Sequence, residues 1–327
     1  MDYDIPQGLE LEKTFGVVDQ IDFDDSTVVS IAGGAALTPL PESEFPEWNP
    51  SAPAGTYKVG DTVMRAALHR TYKRVGDHTA VEATPPEDAD PKAWKAYLPT
   101  NRWSAFDMYM YTQTVAKDRL RYVLRPGRPV DTIWLGGLSA SHATITVTEG
   151  DGGPVLGTLD SSLDEEGRYD WKSFFLSPTI ISDSLLMRLE TRAFDPVITI
   201  DLTNPGAEVR LGSLVAGVAM MFGTTEYDTD IGRVSYSYFK EAEDGTVELR
   251  KRPGAGDINV KVAIDPIDVS MADYLIAKYD AQPTLWLAHT SNNSWLRPLR
   301  KYGLFDGRLT YNNYGQCSLS GRIKGMV

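Results

Sequence analysis

Between Trp48 and Trp103 the chain places a tryptophan, a Tyr57-Lys58-Val59-Gly60-Asp61-Thr62-Val63 turn, Tyr72, a Pro85-Pro86 loop, Trp94 and a final tryptophan. A β-module of roughly 50 residues has room for few aliphatic core positions, so large rings must carry its burial and Gly60-Asp61 its tight turn. Strands are expected over Thr62–Leu68 and Arg70–Val75, and a short helical turn over Asp90–Trp94 with Pro91 at its first position. Four rings, Tyr57, Tyr72, Trp94 and Trp103, then admit two readings. They form the small core, or they form an exposed platform on which the C–H faces of sugar rings stack. The small size favours the core for each. Trp94, which follows a loop, is the best candidate for glycan binding.

The whole chain has 327 residues, enough for two or three domains. Its 28 glycines and 20 prolines are dispersed, as suits many turns between short strands. A net charge of −13 argues against nucleic acid or an anionic membrane as partner of the bulk surface. Cys317 is the single cysteine, so no intrachain disulfide forms. It lies in an alternating stretch and is expected to be a buried structural thiol. The acidic start, Met1-Asp2-Tyr3-Asp4, lacks the basic and apolar regions of a signal peptide. No apolar run approaches the ~20 residues of a membrane span. Synthesis in a cytoplasm, without general secretion or membrane insertion, is the expectation.

Periodicity then divides the chain. Residues 1–45 hold one strand, Ser26–Ala32, followed by a Gly-Gly turn and a proline-rich exit, and read as an arm leading into the aromatic module at 46–103. Residues 104–222 read as short strands at the spacing of a β-sandwich. Asp131–Leu138, the strictly alternating Ala143–Thr148, Ser184–Glu190, Val197–Leu202 and Val209–Gly217 are its strands, with Asn204-Pro205-Gly206 as a turn. Residues 223–327 add strands and one helix, with Ser270 as N-cap and Ile267, Met271, Tyr274, Leu275, Lys278 and Tyr279 on one face, ended by Pro283. One helix among strands gives an α+β unit in which the helix covers a sheet or open barrel. The fold class is thus mainly β: aromatic module, jelly-roll or galactose-binding-like sandwich, and a C-terminal α+β domain.

Chemistry-bearing motifs are sparse. The acidic runs Asp22–Asp25 and Asp160–Asp170 read as solvated loops, because a glycosidase needs two carboxyls held face to face. His69, His78, His142 and His289 do not share metal-ligand spacing with a cysteine or a third histidine. No Gly pair is followed by the Lys-Ser/Thr of a phosphate loop, and no nucleophile elbow is present. No catalytic residue, metal ligand or cofactor site is assigned.

The aromatic module resembles the small carbohydrate-binding modules of chitinases and cellulases, and a similar module inside tail proteins of tailed bacteriophages. Blocks further on extend the second likeness. Pro99-Thr100-Asn101-Arg102-Trp103-Ser104-Ala105-Phe106-Asp107 resembles a junction in those phage proteins. Leu211–Gly217 with Phe222–Tyr227, then Val234–Ser237 with Val247–Arg252, then Pro283–Trp286 with Tyr302-Gly303, resemble later blocks in the same order. The block that includes Tyr236-Ser237-Tyr238-Phe239-Lys240 departs from the usual pattern. None of these blocks is catalytic. The resemblance implies a non-enzymatic virion protein of the distal tail, tail tip or baseplate. It implies a ring of threefold or sixfold symmetry made by the terminal domain, tail tube, hub and fibre proteins as partners, and an outward module that contacts host polysaccharide. A polysaccharide-binding adhesin is the alternative, and a depolymerase a third reading.

Overall fold

In the computed structural model, residues 13–53, 55–76, 84–165, 180–241, 247–250, 254–291, 294–313 and 316–326 are described. The strands of the first third are β1 (Phe15–Gln20), β2 (Val28–Gly33), β3 (Thr38–Pro39), β4 (Thr62–Arg65), β5 (Arg70–Arg74) and β6 (Trp94–Pro99). Next come β7 (Thr114–Leu124), β8 (Val130–Gly136), β9 (His142–Glu149), β10 (Val155–Ser162), β11 (Asp164–Glu165), β12 (Ile180–Ile181), β13 (Ser184–Ala193), β14 (Pro196–Leu211) and β15 (Ser213–Thr225). The last part holds β16 (Asp230–Val234), β17 (Tyr238–Glu241), β18 (Val247–Arg250), β19 (Ala255–Ile264), the helix α1 (Val269–Lys278), β20 (Thr284–Leu287), β21 (Arg300–Asn313) and β22 (Gln316–Gly325). The protein is mainly β, with one short α-helix among the described residues. No described helix is long and apolar enough to cross a membrane.

Two large antiparallel sheets organise the chain. The first runs β13-β8-β15-β1-β20-β21-β22-β19-β16 and the second β10-β9-β14-β7-β2-β3. Alternate residues of β7, β9 and β14, such as Leu120, Tyr122, Ile145, Val147, Ile198 and Ile200, face Ile133, Leu135, Leu185 and Leu214 in one buried cluster. Trp134 and Val215 point the other way, into a second cluster with Val18, Leu285, Leu287 and Tyr302. Strands β8 and β15 are therefore covered on both faces, which accounts for the unbroken buried run at Thr132–Leu135.

The far half of the nine-stranded sheet closes on itself. Thr224 and Thr225 of β15 pair with Ala263 and Val262 of β19, so β15-β1-β20-β21-β22-β19 form a six-stranded antiparallel barrel. Its interior holds Phe15, Phe222, Trp286, Phe305, Val260, Leu319 and Ile323, and α1 adds Val269, Ala272 and Leu275. Cys317 is buried in the same cluster, as expected.

The structure differs from the sequence expectations at five places. The first 45 residues are not an arm: β1 completes the barrel between β15 and β20, while β2 pairs with β7 in the other sheet. Gly16 permits the close pairing, since a Cβ there would lie 2.3 Å from the Met220 carbonyl oxygen. The boundary drawn at 222/223 falls inside β15, which serves both large clusters. Asn204-Pro205-Gly206 is not a chain reversal but a bulge within β14, where pairing to β7 skips from Asn204–Asp118 to Glu208–Lys117. Gly206 takes φ +80° there and its N–H donates to Asp118 Oδ1 at 2.7 Å. In the module, the first strand ends at Arg65 and a short 3₁₀ turn, Ala66–Leu68, follows; the short turn expected at Asp90–Trp94 is present, with the Ala93 and Trp94 N–H groups donating to the Asp90 carbonyl at 2.7 and 3.1 Å.

The fifth difference concerns the helix. Asp268, not Ser270, is its N-cap, and Val269, Ala272, Leu275 and the C-cap Tyr279 form the buried row. Ile267, Met271 and Tyr274 face outward instead, with Ile267 87% and Tyr274 63% exposed. The helix is held to β1 through Asp19, which accepts from Tyr279 Oη at 2.6 Å and Lys278 Nζ at 2.9 Å. Burial alone would raise the Asp19 pKa; these two hydrogen bonds together with the charges of Lys278 and Arg128 outweigh it and hold the carboxyl below the usual range.

Candidate functional site

The residues singled out by the sequence do not converge on one surface. Trp94 starts β6 with its ring buried against Trp48, Val63, Tyr72 and Ala93. It is 2% exposed, and the buried Arg74 guanidinium lies 5.3 Å from its ring centroid. Tyr72 is buried in the same cluster. Tyr57 is half-buried, meets Trp94 edge-on at 5.5 Å and accepts a hydrogen bond from the Asn49 N–H at 2.9 Å. Trp103 is elsewhere: it belongs to the cluster between the two large sheets and packs on Phe106 at 5.3 Å. Of the four, Tyr57 alone lines a described groove, a shallow one of about 420 Å³ shared with Pro46, Glu47, Thr56, Asp61, Thr62 and Val63.

His69 couples the module to the rest of the chain. It follows the 3₁₀ turn at φ 52°, stacks on Trp103 at 4.1 Å and meets Glu42 at 2.8 Å and Asp25 at 3.0 Å through its two ring nitrogens. His142 meets Asp160, and the His289 ring accepts the Ser291 N–H, so these side chains serve local structure. His78 and positions 166–170 of the second acidic run lie outside the described residues. In the first run, Asp24 closes a turn by accepting from Ser26 and Thr27.

An aromatic surface absent from the sequence reading appears where the module meets the sandwich. Tyr97 on β6 is 53% exposed, with Tyr109 at 39% and Tyr111 at 53% on the following loop. Tyr109 and Tyr111 have ring centroids 5.5 Å apart at 42°, and Lys73 Nζ lies 5.7 Å from the Tyr97 ring centroid. The Tyr111 hydroxyl is raised in pKa by desolvation, then by Tyr109, Asp107 and Tyr97. Met110, between the two loop tyrosines, packs inward beside Trp134, so the rings on either side turn outward.

Asp107 organises the tyrosine loop. Oδ1 accepts from the Tyr109 N–H at 2.8 Å and Oδ2 from the Thr112 hydroxyl at 2.6 Å. It also lines a cavity of about 100 Å³ with Gln20, Asp22, Phe106 and Tyr302. Burial pushes its pKa up to about 6, against the lowering effect of those hydrogen bonds. A folded-state pKa above the unfolded one means that the unfolded chain loses this proton first as pH rises. The contribution to stability is therefore greatest below about pH 4 and declines up to about pH 6. Asp107→Asn mimics the neutral form. Thermal unfolding across pH 4–7 should show a smaller decline for this variant than for the native chain, and equal or greater stability at pH 7.

The arrangement offers ring faces and hydroxyls on a braced loop, with no acid–base or nucleophile–base pair assigned to it. No family model matches the chain, and no curated protein matches it. Among solved structures, one similar chain is a selenomethionine-labelled mutant of chitosan-binding module 1 from a chitosanase/glucanase of Paenibacillus sp. IK-5. That likeness has 15% identity, a TM-score of 0.25, and covers 36% of this chain and 83% of the other. At that TM-score it carries no argument about fold or ligand.

Proposed function

We propose that this chain is a structural component of a bacteriophage tail tip or baseplate that assembles with copies of itself and with neighbouring tail proteins. The ordered sequence blocks from Pro99 to Gly303 supply the family resemblance. The observation that carries self-assembly is the apolar surface left uncovered on the C-terminal half. Phe239, Val247, Leu249, Ile267 and Tyr274 are 64%, 53%, 66%, 87% and 63% exposed. They fall in two groups, one on the hairpin β17–β18 and one at α1, and exposed apolar patches mark interaction sites in soluble proteins. In this reading the barrel lies in a ring about the tail axis, the jelly-roll or galactose-binding-like sandwich sits outside it, and the module projects outward. Antibody raised against the protein should label the tail tip of virions by electron microscopy, and label confined to lysate debris would remove the reading.

The second reading, a host-polysaccharide adhesin, is favoured by the exposed Tyr97, Tyr109 and Tyr111. Sugar faces stack on such rings, and a braced loop loses little entropy on binding. A Tyr109→Ala, Tyr111→Ala double variant that folds normally but no longer adsorbs to cells would promote it. Release of products from polysaccharide, lost on changing one carboxylate, would instead establish a depolymerase.

A further inference from the structure

Residues 46–103 carry eight Lys and Arg against seven Asp and Glu, whereas the whole chain has a net charge of −13. The module thus lacks the acidic excess of the rest, and two of its cations meet on the open face of the sheet β4-β5-β6. Tyr72, Arg74 and Trp94 point into the module core. Alternation therefore turns Lys73 of β5, and Lys95 and Tyr97 of β6, to the other face. All three residues are exposed.

Lys73 and Lys95 are direct register partners. Like charges placed opposite each other across strands cost stability. Among the described residues, neither ammonium forms an ion pair that would relieve this one. Lysines on an edge strand discourage strand addition, and β6 is such an edge. Lys73 has no such task, because β5 is the central strand and pairs on both sides. Its Nζ lies 5.7 Å from the centroid of the Tyr97 ring, which is 53% exposed. An aromatic ring and two uncompensated ammoniums therefore share one patch.

We infer that this patch binds a glycan whose sugars carry carboxylates, a uronate-type polysaccharide. This deepens the adhesin reading and rests on it. A uronate residue joins both features that the patch recognises. Its ring face offers C–H bonds that stack on Tyr97, and its carboxylate accepts charge-assisted hydrogen bonds from Lys73 and Lys95. The bound carboxylate also offsets the repulsion between the two lysines, which a neutral sugar leaves in place. Nucleic acid is not matched, since its affinity comes from neutralising many phosphates and the patch offers two cations.

The test measures binding of the full-length protein, at low ionic strength, to polygalacturonate and to its fully methyl-esterified form, which keeps the sugar ring and loses the charge. Polygalacturonate should bind about tenfold more tightly than the ester, or better. Lys73→Gln with Lys95→Gln should abolish that difference, and Lys73→Arg with Lys95→Arg should retain it. The Gln variant should unfold at the native temperature or above it, because the like-charge pair is gone. A lower transition would make the lysines structural and overturn the inference. Equal affinity for acid and ester, both lowered by Tyr97→Ala, would overturn it and leave the adhesin standing. Equally tight binding of single-stranded oligothymidylate would show a general polyanion surface and overturn it too. No binding of either polymer would also overturn it. If Tyr97→Ala, Tyr109→Ala and Tyr111→Ala then leave adsorption to cells unchanged, the adhesin reading falls as well.

Discussion

Trp286→Ala should cost about 3–5 kcal/mol and melt the barrel, a loss comparable with the whole stability of many domains. The ring is 1% exposed and sits at the centre of an aromatic cluster. Its centroid lies 4.5 Å from that of Phe305 and 6.0 Å from that of Phe15, which in turn meets Phe222 edge-on at 5.3 Å. These residues come from β20, β21, β1 and β15, so the cavity left by alanine would open between strands that are distant in sequence. Denaturant unfolding monitored by near-ultraviolet circular dichroism should show the shift directly. A loss below about 1 kcal/mol would contradict the role assigned to this cluster.

Trp94→Ala should have an effect of similar size but confined to the module. The module core consists of Trp48, Val63, Tyr72, Ala93 and Trp94, with Tyr57 and Ala89 packed against it. Removing one of its two tryptophan rings should cost about 3–5 kcal/mol, more than so small a cluster can absorb. It would also take away the aromatic face beside the buried Arg74 guanidinium. Limited proteolysis should then cut within residues 46–99 while the two large sheets keep their transition. A module that stays folded and loses only adsorption to cells would instead make Trp94 a binding residue and favour the adhesin.

Local patterns made much of the fold legible. The alternation at Ala143–Thr148 lies in β9, the strand expected at Asp131–Leu138 overlaps β8, and a helix stands where periodicity placed one. What escaped was non-local. The short Phe15–Val18 run looks unremarkable until Phe15 pairs with Gly223 and Gly16 with Leu287, more than 200 residues away, and closes a barrel. Trp103, read as the last ring of the module, instead packs on Phe106 in the cluster between the large sheets, with His69 of the module stacked on it. The helix face was misjudged because periodicity alone accepts several rows. Capping at Asp268 puts Val269, Ala272 and Leu275 inward and leaves Met271 and Tyr274 outside. The candidate surfaces were the least legible part, since an exposed ring and a core ring have the same letter. Tyr72 and Trp94 are buried, whereas Tyr97, Tyr109 and Tyr111 are exposed.

Self-assembly is the central claim, and the mass of the full-length protein in solution tests it most directly. Light scattering across a concentration series should give a multiple of the 36.1 kDa chain, with a ring-sized species, threefold or sixfold, dominating at the upper end. A mass of 36.1 kDa at every concentration, alone and with neighbouring tail proteins added, would contradict it.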